Sequence, residues 1–176
     1  MASRIIAISG KSGCGNTTVS GLVSKALNIE LINYTFRSLA KERGMTFEKV
    51  LEEAQKDFSY DRAVDERQVE LAQLQDCVVG SRLALWLLKD ATLKVYLWAS
   101  PEVRAGRIHH REGSSMEEVI GFTALRDKHD HERYLELYDI DNDVFSGADL
   151  TINAESFSAD KIAAIIVTAF RQKAGL

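Results

Sequence analysis

Five short runs of apolar, mostly β-branched residues punctuate the chain: Arg4 to Ser9, Glu30 to Asn33, Asp76 to Gly80, Leu93 to Trp98 and Asp149 to Asn153. Each has the length of a strand, and near-continuous apolar character belongs to strands covered on both faces. Between the first two runs, Val19, Leu22, Val23, Ala26 and Leu27 recur with the period of a helix. Strand, loop, helix and strand make a βαβ unit. Near the C-terminus, Ile162, Ile165, Ile166, Ala169 and Phe170 repeat the helical signal and predict a helix with one face on the sheet. The expected fold is a three-layer α/β/α domain around a five-stranded parallel sheet.

Two segments break this alternation and carry more charge than their flanks. The first, residues 34–75, has helical patches at Phe36 to Ala40, Phe47 to Ala54 and Val64 to Leu74, separated by Gly44 and a polar "KDFSYDR" turn. The second, residues 101–143, begins at the single proline and contains "RAGRIHHREGSS" and "RDKHDHERYLELYDID". Function is expected in these departures from the regular scaffold.

Composition limits the classes of partner. A length of 176 residues suits one domain, residues 1–176, and a net charge of −4 argues against broad adhesion to nucleic acid or to an anionic membrane. Any phosphate binding must therefore be focal. The early apolar run Ile5 to Ile8 is too short for a signal peptide or a membrane span, so a cytoplasmic protein is expected. Cys14 and Cys77, the two cysteines, make neither a disulfide framework nor a zinc site.

The most specific motif is "GKSGCGNTT", Gly10 to Thr18, directly after the first strand and before the first helix. A glycine-rich loop in that context turns its backbone N–H groups toward an anion, and the helix N-terminus adds partial positive charge. Gly10, Lys11, Ser12, Gly13, Cys14, Gly15, Asn16, Thr17 and Thr18 are thus the candidate nucleotide-phosphate-binding residues, with the Thr17 hydroxyl in the position that holds Mg²⁺. The pattern G-x-x-x-x-G-K-[ST] asks for lysine where Asn16 stands. An amide donates hydrogen bonds but carries no charge. Lys11, five residues earlier, is the candidate replacement. In that respect the loop resembles the deviant phosphate loops of the partitioning and septum-site ATPases, which carry an early lysine but keep the usual one as well. Loss of one preorganised donor to transition-state charge costs about 3–4 kcal/mol, or roughly 10²–10³ in rate.

Arg126, Asp130 and Arg133 lie at i, i+4 and i+7, one face of a helix. They could form a structural ion-pair ladder. Alternatively, two forked cations could clamp a second phosphate while Asp130 accepts from a sugar or base. His109, His110, His129 and His131 do not make a metal set by spacing, because neighbours at i+1 or i+2 on a helix diverge. Trp86 and Trp98 read as core, and Asp65 and Glu66 read first as helix-surface charge, with acidic lining of a ligand pocket as the alternative.

Across these residues the chain resembles the cytidylate kinases, especially the short cytidylate-kinase-like proteins without the large inserted domain. The likeness runs nearly end to end through "IIAISGKSGCGNTTVS", "NYTFRSLAKERGMT", "AVDERQVELAQ", "CVVGSRLALW", "LKVYLWASPEVRAGRIHHREG", "RDKHDHERYLELYDID" and "DLTINAESFS". It implies a P-loop fold that moves the γ-phosphoryl of ATP, with Mg²⁺, to CMP or dCMP, with 34–75 as the monophosphate-binding region and 101–143 as lid and acceptor helices. By the same resemblance Arg37, Arg82, Arg126 and Arg133 look like arginines for the acceptor phosphate, and Asp130 like a ligand of the pyrimidine nucleoside. Arg107 and Arg111 look like lid arginines that close over the transferring phosphate, with Lys11 as the third catalytic candidate and Arg104 a less certain member of the set. Two features depart from the family: Asn16 in the loop, and the Gly80-Ser81 step before Arg82, where an acidic residue and glycine are common.

The expected partners are small-molecule nucleotides, with no nucleic acid and no membrane, and the expected assembly is a monomer or weak homodimer. Asn16 keeps open a catalytically weak nucleotide-binding regulator of the same fold, and a kinase for another small acceptor is a further alternative.

Overall fold

The computed structural model describes residues 3–112 and 115–176, with residues 111 and 112 as backbone alone. In chain order the elements are β1 (Ile5–Ser9), α1 (Asn16–Leu27), β2 (Glu30–Ile32), α2 (Phe36–Arg43), α3 (Phe47–Ala54), α4 (Ser59–Ala72) and β3 (Cys77–Gly80). There follow α5 (Ala84–Leu87), β4 (Leu93–Trp98), α6 (Pro101–Glu112), α7 (Met116–Tyr138), β5 (Leu150–Asn153) and α8 (Ala159–Ala174). The five strands pair in the order β2-β3-β1-β4-β5, all parallel. Among the described residues, no helix is long and apolar enough to cross a membrane.

Alternation along the strands divides the core. Ile6 and Ile8 point to one face, where Val19 and Val23 of α1 meet Ile162, Ile166 and Phe170 of α8. Ile5 and Ala7 point to the other, against Ala72, Ala84 and Leu88. Both faces of β1 are buried, as its unbroken apolar sequence requires. A third cluster, Leu39, Ala40 and Val50 with Tyr60 and Val64, binds α2, α3 and α4 into a small helical lobe.

Strand order fixes where a ligand can sit. The chain fills positions on one side of β1 with β2 and β3, then crosses to β4 and β5 on the other. In open α/β sheets the crevice beyond the carboxyl ends of the strands at such a reversal is the binding position. The loop after β1 opens there.

Two expectations need correction. "KDFSYDR" is not a turn throughout: α4 begins at Ser59, because the Asp57 carboxylate accepts from the Ser59 N–H at 2.8 Å and from its hydroxyl at 2.7 Å. That satisfies an otherwise orphaned donor and starts the helix inside the polar stretch. Trp98, at the end of β4, is 42 % exposed rather than core.

Candidate functional site

The loop from Gly10 to Thr18 forms one end of a cleft of about 760 Å³. Its path depends on Gly13 and Gly15, whose φ angles of 87° and 100° lie where only glycine is relaxed. Asn16 bends back into the loop: its Nδ2 donates to the Gly10 carbonyl at 2.6 Å, while its Oδ1 is buried without a partner. The residue in the lysine's place therefore closes the loop on itself. Cys14 is buried at 2 %, and burial pushes its thiol up, so it packs beneath the loop as an apolar group. Thr17 and Thr18 line the cleft and are exposed.

Lys11 also lines the cleft, and its ammonium is 2.5 Å from the Asp143 carboxylate. Asp143 belongs to a small polar cluster in which His131 Nδ1 lies 3.7 Å from Asp141, 3.5 Å from Asp143 and 2.9 Å from the Asn142 side-chain oxygen. His131, Asp141 and Asp143 are close enough to share a cation, and the Lys11 ammonium already occupies Asp143.

From α6, Arg107 reaches the loop's outer side. Its Nη1 donates to the Gly13 and Cys14 carbonyls, each at 3.3 Å, and its Nη2 to the Ala154 carbonyl at 2.6 Å. Arg107 is thus docked between the loop and the segment after β5, and it lines the cleft. Arg104, one turn earlier on α6, is buried against Ser12 and Asp127. The Arg111 side chain lies outside the described residues.

The opposite end of the cleft is lined by α4, the turn after β3 and α7. Arg82, just beyond β3, donates to Asp130 of α7 at 2.6 Å and also bonds Tyr134. Arg133 donates to Asp61 of α4 at 2.9 Å. Asp61, Asp65 and Gln68 follow one another along α4 at i, i+4 and i+7 and all line the cleft. Tyr138 donates to Asp65 Oδ2 at 2.7 Å, yet burial dominates and pushes the Asp65 carboxyl up to about 6. Desolvation also raises Asp61 against the lowering effect of Arg133, and its Oδ2 is buried without a partner. A carboxyl held out of water at the rim of a binding cleft is a common mark of a working site.

The structure thus brings the loop residues, Lys11, Arg107 and Arg82 to one cleft, while Asp130 is joined to it through Arg82 and Arg133 through Asp61, neither of them lining it. Arg126 is half-buried on α7, one turn before Asp130. Arg37 is exposed on α2, its guanidinium 4.0 Å over the Phe47 ring, and is not among the residues lining the cleft. Asp65 is not surface charge as its sequence setting suggests, whereas Glu66 is exposed. Sequence reasoning missed Asp61 and Gln68. Asp61 falls in the stretch read as a turn, and only the helical register from Ser59 onward aligns it with Asp65.

Gly80 accounts for its own oddity. A Cβ there would come within 2.3 Å of the Ser20 hydroxyl on α1. The buried Ser20 side chain fills the space that a larger residue at position 80 would take.

Residues 5–156 match the model of the cytidylate kinase-like family. The chain is 43% identical over 165 residues to cytidylate kinase 2 of Borreliella burgdorferi, covering 92% of each chain. It is 40% identical over 171 residues to the cytidylate kinase of Archaeoglobus fulgidus, covering 96% of this chain and 95% of that one. Among solved structures, shikimate kinase from Acinetobacter baumannii superposes with a TM-score of 0.63 at 16% identity, over 97% of this chain and 94% of that one. This last likeness concerns the P-loop α/β/α fold alone.

Proposed function

The chain belongs to the cytidylate kinase-like family, and from that premise we infer that it transfers the γ-phosphoryl of ATP to a pyrimidine nucleoside monophosphate, CMP or dCMP, releasing ADP and the diphosphate. The observation that carries the reading is the two-ended cleft: a phosphate-binding loop at one end, and arginines held by carboxylates at the other. A protein that only sensed ATP would not need the second end.

ATP would lie on Gly10 to Thr18, its phosphates facing the loop's N–H groups and the start of α1. The Thr17 hydroxyl would hold Mg²⁺, which when bound neutralises phosphate oxygens and helps align them. The exposed Thr17 at the second position of α1 suits that role. The acceptor phosphate would take Arg82 and Arg133, with Arg126 and Arg37 as outer cations, and Asp130 would accept from the nucleoside. In the structure Arg82 and Arg133 are engaged by Asp130 and Asp61. An incoming phosphate would replace a carboxylate with a stronger anion, so the guanidiniums are held ready without being left bare in a half-buried wall.

Phosphoryl transfer asks the protein mainly for alignment and charge neutralisation. Lys11, Arg107 and Arg111 are the cations proposed for the transferring group. Lys11 would leave Asp143 for the phosphates, standing in for the lysine that Asn16 replaces. Residues 34–75 would form the acceptor-binding lobe, and 101–143 the part that closes on the substrates and keeps water from ATP.

The test is ADP formation by the purified protein with ATP and Mg²⁺, comparing CMP, dCMP, UMP, AMP and no acceptor. Strong stimulation by CMP or dCMP is expected. Nucleotide binding without any acceptor-dependent turnover would overturn the reading.

A further inference from the structure

Arg104 is only 2 % exposed, among the most deeply buried polar residues described. Its guanidinium acts in two directions. Nη1 donates to the Ser12 carbonyl at 3.0 Å, and Nη1 and Nη2 grip the two Asp127 oxygens at 3.1 and 2.5 Å. A buried guanidinium is costly unless paired, and the bidentate carboxylate supplies that pairing with fixed geometry. The contact to the loop is tight as well, since a Cβ on Gly13 would lie 2.8 Å from the Arg104 carbonyl oxygen.

The geometry of a trans peptide gives the Ser12 contact a consequence. The Ser12 carbonyl and the Gly13 N–H share one plane and point in opposite directions. Holding the oxygen toward Arg104 therefore aims the Gly13 N–H the other way. Asp127, which holds Arg104, sits on α7 between Arg126 and Asp130, the helix that also bears the acceptor candidates.

We propose that Arg104 is a positioning residue for the donor loop: clamped by Asp127, it fixes the Ser12–Gly13 peptide plane, so that the loop's shape is set from the helix that carries the acceptor residues. This assigns Arg104 a different part from a lid arginine that swings over substrate. It matters more here than in a loop with its own lysine, because the N–H groups carry a larger share of phosphate binding. The proposal rests on the reading of the loop as an ATP site.

Arg104→Lys keeps the charge and loses the fork. Asp127→Glu keeps the counter-charge that the buried guanidinium needs and displaces the fork, so a second variant remains available even if the first is unstable. Binding of a non-hydrolysable ATP analogue, KM for ATP, KM for CMP and the thermal midpoint are measured together. In both variants the analogue's Kd and KM for ATP rise about tenfold, and in Arg104→Lys the KM for CMP stays within about threefold. Folded variants whose analogue Kd stays within twofold of the parent would overturn the proposal, whatever happens to the midpoint. Because the analogue arm does not depend on turnover, absence of CMP-stimulated ADP formation would count against the kinase reading and leave this test intact.

Discussion

The Lys11 ammonium stands 2.5 Å from the Asp143 carboxylate, across the gap between the loop after β1 and the segment after α7. The cation proposed to replace the loop lysine therefore has a resting partner with which bound phosphate must compete. Lys11→Ala is expected to lower kcat by about 10²–10³. Restoring a lysine through Asn16→Lys in the same protein should recover at least tenfold of that loss. Asp143→Asn, which removes the competitor, should lower KM for ATP about threefold. Steady-state kinetics on the four proteins checks all three, and full activity in Lys11→Ala would remove Lys11 from the scheme.

Arg82 and Asp130 meet at 2.6 Å at the proposed acceptor end, and on that reading the substrate would have to open the pair. Arg82→Ala should reduce kcat/KM for CMP by about 10–10²-fold, the usual worth of a charge-assisted bond to phosphate, with KM for ATP little changed. Asp130→Asn should instead change the ratio of CMP to dCMP turnover, since its proposed contact is with the nucleoside. Competition assays with the two acceptors read that ratio directly.

Asp65 couples the site to stability. Burial raises its carboxyl from 3.8 to about 6. Between those pH values the folded chain keeps a proton that the unfolded chain has released, so stability is highest on the acid side and is lost as pH rises through 6. Once the group is ionised the penalty is about 2–3 kcal/mol. Asp65→Asn removes it while leaving an oxygen for the Tyr138 hydroxyl, 2.7 Å away. Urea unfolding at pH 8, 6.5 and 5 should show the variant more stable than the parent at pH 8, with the gain shrinking toward pH 4. Acceptor turnover should fall in the same variant, because a desolvated carboxyl kept in a cleft commonly trades stability for function.

The scaffold was legible because its signals are local. Leu93–Trp98 and Phe47–Ala54 are as the apolar pattern predicts, and the other strands each differ by one flanking polar residue. The loop was legible because its glycine spacing and its place between strand and helix come together. What could not be read were relationships across the chain. Nothing near Asp143 in sequence points to Lys11, and nothing near Arg104 points to Ser12. Asp65 looked like an ordinary helix-surface acid until α4 was turned by its true start at Ser59. Arg37, read from its resemblance, lies over Phe47, where a half-buried ring offers a cation a face.

Gly80 and Ser20 carry a consequence for how such a chain can change over generations. Because a Cβ at position 80 would fall 2.3 Å from the Ser20 hydroxyl and 2.8 Å from its Cβ, an acidic residue there requires the Ser20 side chain or α1 to shift. Ser20→Gly alone would leave the space beside Gly80 unfilled, and Gly80→Asp alone would crowd α1 where it packs on β3. Each single step passes through a poorer protein, and only the two changes together reach the alternative pattern. Positions 20 and 80 form one packing unit, so a change at either is felt at the other.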